Sequence, residues 1–167
     1  MASETTTAVE TPSEQVAWRG GALAGLAAGI VMGAMLTMQM RPVIAVAIPS
    51  MYGLDGLALG WAVHLFHSVV LGIVFASVVS VAPGVESDGS VASGSRSIES
   101  VGRSTLLGLG YGVVLWAALA AVVMPIWLGA VGSPANPPFP NVDPLSLVGH
   151  VVYGLVLGLV FPALENL

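Results

Sequence analysis

The chain has 167 residues, of which 56% are apolar and only 8% charged, with 21 Gly, 11 Pro and no Cys. A soluble domain carries about 25% charge, so an ordinary soluble enzyme is excluded, and the missing Cys excludes disulfide, thiolate-metal and cysteine-nucleophile chemistry. Four Arg, no Lys and nine Asp plus Glu leave no basic face for nucleic acid, and a polytopic membrane protein remains.

Residues 1–17 are rich in Ser, Thr and Glu and lack an apolar run. They read as a disordered acidic tail and not as a signal peptide, because the n-region is acidic and the first apolar run is already of span length. From Gly20 to Ala82 the only charges are Arg41 and Asp55, and from Ser104 to Leu164 the only one is Asp143. A helix needs about 20 mostly apolar residues to cross a hydrocarbon core about 30 Å thick, and its amides must be satisfied within the segment. These runs therefore predict four helical spans, at roughly 18–41, 57–82, 104–128 and 145–164. Arg41-Pro42 ends the first, and Pro49, Gly53 and Gly56 fill the turn after it. Pro83-Gly84 ends the second. Residues 83–103 read as a Gly/Ser-rich flexible linker. Between the third and fourth spans lie Pro134, Pro137, Pro138 and Pro140, then Asp143-Pro144, the pattern of an N-cap with Pro at the first helical position.

The Arg distribution sets the expected orientation. Arg19, Arg96 and Arg103 lie on the side of the N-terminus and linker and only Arg41 on the other, which places both termini and the linker in the cytoplasm. Trp18, Trp61, Tyr52 and Trp127 fall near span ends, where amphipathic rings prefer the interface; Trp116 lies mid-span and does not fit.

The chain also repeats itself. The stretch from His64 to Phe75 aligns without gaps on that from His150 to Phe161, with six of twelve positions identical, and Gly25, Gly29 and Pro42 align on Gly108, Gly112 and Pro125. The predicted fold class is thus all-α membrane: four transmembrane helices as two tandem parallel helical hairpins (18–82 and 104–167), related by a pseudo-two-fold axis along the membrane normal. That axis places His64 opposite His150 at equal depth. Every span carries small residues at four-residue spacing, among them Gly21, Gly25, Gly29 and Gly33 in the first and Gly154 and Gly158 in the last. Four residues turn a helix by about 400°, so each stripe keeps to one face, where Gly lets backbones approach closely. Some of these Gly could instead make room for a flat cofactor or a pore.

Three intramembrane features carry chemistry. The first is the imidazole cluster of His64, His67 and His150, with Tyr153 at the position equivalent to His67. Ionisable groups at this depth point to function. One reading is hydrogen bonding across helices that locks the two halves in register. Another is a bound transition metal at His64, His67 and His150, or a haem b held between His64 and His150 with Arg41 pairing its propionates. A proton relay through His and Tyr is a third. The second feature is the Met run of Met32, Met35, Met38 and Met40; thioethers with imidazoles suit Cu(I), although Met is also a routine gap-filler. The third is Arg41, Asp55 and Asp143 at span ends, read as interfacial charges. There is no Lys for a phosphate-binding loop, and no Ser-His-Asp set stands out.

The His-bearing second and fourth spans, the Gly stripes and the acidic, Lys-free tail resemble a group of small, uncharacterised four-helix membrane proteins of halophilic archaea. Members of that group are sometimes called histidine kinases. The present chain has no ATP-binding fold and no soluble helix presenting a phospho-acceptor His, so phosphotransfer is not expected. The expectation is a non-enzymatic membrane protein that handles a metal or haem. The alternatives are a structural or assembly subunit of a larger membrane complex or a homo-oligomer, and a small transporter.

Overall fold

The computed structural model describes residues 12–81 and 93–165. The elements are α1 (Pro12–Gln39), a first π segment (Val43–Ala47), α2 (Ile48–Ser50), α3 (Leu57–Val81), α4 (Ser93–Leu115), a second π segment (Trp116–Val123), α5 (Met124–Ala130) and α6 (Pro144–Leu164). No strand occurs among the described residues. Four helical stretches are long and apolar enough to cross a membrane: Ala17–Gln39, Leu57–Val81, Glu99–Ala130 and Pro144–Leu164. The predicted count of spans is met.

Glycine decides which helices meet. A Cβ on Gly21 would run into Gly72 O and Ala76, and one on Gly25 into Ser68 O, so α1 and α3 pack antiparallel with backbones in contact. In the same way Gly108 lies on Gly154 O, Gly112 on His150 O and Gly158 on Ser104 O, which joins α4 to α6. The third large contact is α1 with α6. There Gly149 lies against the ends of Met32 and Met35, and Ala24, Ala28 and Met32 form a buried row along α1. By contrast α3 and α4 scarcely touch. Tyr111 bridges them, donating its hydroxyl to Leu71 O at 2.9 Å.

The prolines shape the end of the bundle that carries the two turns, hereafter the loop end. Each π segment stops two residues before a proline, Pro49 or Pro125. Proline has no N–H, so the carbonyl four residues before it loses its helical partner, and the wider register adds a second orphan five residues before. At Pro125 these are Ala121 O and Ala120 O. Asn141 supplies both, its main-chain N–H reaching Ala121 O at 3.0 Å and its Nδ2 reaching Ala120 O at 3.4 Å. At Pro49 the Gly56 N–H donates to Ala45 O at 3.1 Å, from a Gly with φ 94°. Asn141→Ala, which keeps the main-chain N–H, is expected to cost less than about 1 kcal/mol, whereas Asn141→Pro strands a buried carbonyl and costs about 1–3 kcal/mol. Denaturation in detergent, followed by circular dichroism, measures the difference.

Two boundaries differ from expectation. The first helix breaks at Met40, one residue before Arg41-Pro42, but the chain is helical again from 41 to 50, because the π register and Gly56 absorb Pro49. The stretch read as linker over 83–103 is helical from Ser93 onward; the rest of it, like residues 1–11 of the tail, lies outside the described residues. Asp143 caps α6 as predicted, its Oδ1 accepting from Ser146 N at 2.7 Å with Pro144 next to it.

Candidate functional site

Where α3 and the second π segment fail to meet, the loop-end half of the bundle encloses a cavity of about 610 Å³. A volume of this order falls in the range of small-molecule sites, about 300–1,000 Å³. His64, His67, His150 and Tyr153 all line it. The four residues that the i, i+3 spacing singled out thus all border the same cavity.

Each ring is held by a particular partner. His64, only 6% exposed, sets its Nε2 at 2.9 Å from Gly29 O. Gly33 leaves room for that ring and for Trp61, whose edge packs on it at 6.2 Å between centroids. Trp61 is itself fixed by its Nε1–H to Thr37 Oγ1 at 3.1 Å. His150 sets its Nδ1 at 2.8 Å from Ser146 O, one turn back on α6. A carbonyl oxygen only accepts, so both of these nitrogens carry the proton. In a neutral ring the other nitrogen is then a bare acceptor: Nδ1 of His64 and Nε2 of His150. Among the described residues neither nitrogen has a hydrogen-bond partner. In their neutral forms the two rings are thus held as tautomers that present lone pairs at Nδ1 of His64 and Nε2 of His150. Fixing one imidazole nitrogen on a backbone carbonyl is also how ligating histidines are oriented.

His67 and Tyr153 are differently employed. The Nε2 of His67 meets the hydroxyl of Tyr52 at 2.6 Å, and the Tyr52 ring sits 6.2 Å from that of Trp127. Trp127 donates its Nε1–H to Met51 O at 3.0 Å. This group closes the loop end of the cavity. Buried Tyr153 donates to Ser68 O at 2.8 Å, tying α6 to α3. Its hydroxyl proton is committed there.

The remaining sequence-derived candidates separate. Met32 and Met40 line the cavity, joined by Met51 and Met124. Met35 packs on Gly149 of α6, and Met38, 81% exposed, faces outward. Arg41 is exposed at the end of α1 and is not part of the lining, so it does not supply the cation expected for propionates. Among the described residues the only Asp, Glu, Lys or Arg in the lining is Asp143. Among the described residues no group of three or more His, Cys, Asp or Glu side chains is placed to hold a metal ion; the three imidazoles share a cavity but do not converge as one ligand set.

Sequence reasoning missed Tyr52 as a partner of His67, because nothing local links a turn residue to a ring fifteen positions away. It also missed Met51 and Met124, which sit outside the Met run. Comparison with known protein families, with curated proteins and with solved structures finds no match for the chain.

Proposed function

We propose that the chain is a non-enzymatic, multi-pass membrane protein that binds a ligand in the loop-end cavity, with His64 and His150 as its direct contacts. The observation that carries this reading is the pair of backbone-held imidazoles, each with one nitrogen uncommitted and both lining a largely apolar cavity. Two side chains that served only to tie helices together would have no need of a cavity beside them. What meets an imidazole lone pair is either a proton donor or a Lewis acid, so a transition metal or haem iron is one class of occupant. For a metal the four thioethers and Asp143 are favourable neighbours. For haem the absence of Arg or Lys from the lining is unfavourable, since both propionates would need partners.

We also infer that the fold is a duplicated hairpin with a pseudo-two-fold axis, both termini lying on the cytoplasmic side. Equivalent residues support the duplication: Gly25 meets Ser68 and Gly72, and its counterpart Gly108 meets Gly154 and Gly158. The equivalent rings Phe75 and Phe161 touch edge to face, 5.7 Å between centroids.

The test is purification of the full chain in detergent, with an absorption spectrum and elemental analysis, followed by titration with Cu(I) and with haem b. A bound species lost from both His64→Leu and His150→Leu, with folding unchanged, is the expected result. A preparation that takes up neither ligand leaves only the proton-donor class. Variants that bind as wild type would remove the histidines from the site.

A further inference from the structure

The cavity is not closed on its flank. Phe66 and Val70, one turn apart on α3, line it and are 63% and 41% exposed. Across the gap Leu119 and Val123, also one turn apart, line it and are 37% and 43% exposed. These two rails face the zone that the lipid tails occupy. The gap is bounded toward the termini by the Tyr111–Leu71 bridge and toward the loop end by Tyr52 and Trp127. The lining residues of α3 run from His64 to Leu71, so along that helix the window is roughly 10 Å tall. Its cause is visible in the repeat. Along α1 the buried row is Ala24, Ala28 and Met32; the equivalent positions of α4 are Leu107, Tyr111 and Leu115. Ala24 and Ala28 let α1 close on α6, while the larger Leu107 and Tyr111 hold α4 away from α3.

We propose that the cavity takes a lipophilic aromatic diol of the quinol class, admitted sideways from the bilayer between α3 and the second π segment, and that its hydroxyl groups donate to His64 Nδ1 and His150 Nε2. The inference rests on the ligand-binding reading above and narrows it. Three features select this chemistry. The free nitrogens accept, so they pair with O–H and not with the carbonyl of a quinone. Among the described residues the lining contains no Arg or Lys, which disfavours fatty acids and phospholipid headgroups. Methionine sulfurs and the rings of Phe66, Tyr52 and Trp127 suit the faces and edges of a flat aromatic ring. An apolar tail needs no room inside, because the window lets it lie among the lipids.

The full chain in phosphatidylcholine nanodiscs would be titrated with a radiolabelled decyl-tailed benzoquinol, its quinone and its dimethyl ether. A site built to hydrogen-bond a hydroxyl rejects analogues lacking it strongly, so the quinol is expected to bind at least ~10-fold tighter than the other two. His64→Leu and His150→Leu should each erase that preference. Val70→Trp combined with Leu119→Trp should slow uptake at least ~10-fold while leaving the circular dichroism unchanged. Equal affinity for the three probes overturns the proposal, as does a preference that survives both histidine variants. Unslowed uptake in the double Trp variant overturns the lateral route. Binding of Cu(I) or haem at the same histidines without quinol binding overturns the ligand class and leaves the cavity reading standing. Failure of every probe overturns both.

Discussion

Gly60→Ala is expected to destabilise the bundle by about 3 kcal/mol, the upper end of the usual range for an extra methyl forced into a packed site. A Cβ at Gly60 would overlap the carbonyl oxygen of Ile44, with Ile44 C next behind it. That obstacle is main chain and cannot swing aside like the tip of a side chain. It is also anchored. Ile44 is fully buried, Val43 O accepts the Ile48 N–H, and Ala45 O accepts the Gly56 N–H. The carbonyl of Ile44 would find its π-register partner at Pro49, which has no N–H, so contact with the Gly60 backbone is the packing that remains to it. Relieving the overlap means moving α3 off the π segment, which also disturbs the wall of the cavity. Gly102→Ala and Gly110→Ala are the controls, because nothing lies within 4 Å of a Cβ at either position. Both sit inside α4, where Ala is favoured over Gly by up to about 1 kcal/mol. Unfolding with a denaturing detergent would read all three. A Gly60→Ala protein as stable as the controls would mean that α3 does not approach the π segment as closely as described.

The number of spans was legible because it depends only on runs of uncharged apolar residues, which lipid imposes whatever the tertiary fold. The capping of α6 was legible for a similar reason, since Asp143, Pro144 and Ser146 are local. The passage of helix through Pro125 was not. It depends on Asn141, sixteen residues later, returning to cover the two freed carbonyls, and no local pattern announces such a return. The glycine stripes were legible as contact faces but silent about partners. A glycine states that something comes close, and only the assembled bundle says that Gly25 meets Ser68 while Gly29 accommodates the Ser68 side chain.

The site follows the same division. The repeated spacing pointed to His64, His67, His150 and Tyr153 as one group, and all four line the cavity. Their employment was hidden, because it is set by backbone carbonyls, and every residue carries one. That His64 is protonated at Nε2 and His150 at Nδ1 follows from Gly29 O and Ser146 O, not from any side chain a motif could display. The gap beside the site was hidden too: α3 and α4 scarcely touch, with Tyr111 reaching across to Leu71 O, and no local pattern says which helices leave a space between them.

Phe75→Ala should cost about 3 kcal/mol, the lower end of the range for deleting a buried aromatic ring. In lipid the unfolded reference is apolar too, so the transfer part of that cost shrinks and the packing part remains. The packing part is large here. Phe75 is fully buried, meets Phe161 edge to face at 5.7 Å and lies 5.4 Å from Tyr111. It thereby joins α3, α4 and α6 one turn from the Tyr111–Leu71 bridge. A double-mutant cycle between Phe75→Leu and Phe161→Leu isolates the ring pair, with a coupling of about 0.5–1.5 kcal/mol expected for an edge-to-face contact. The same cycle bears on the duplication. If a two-fold axis passes between these equivalent residues, their surroundings are alike and the two single variants should cost similar amounts. Single costs that differ several-fold, or a coupling near zero, would mean that the halves do not meet there as equivalents.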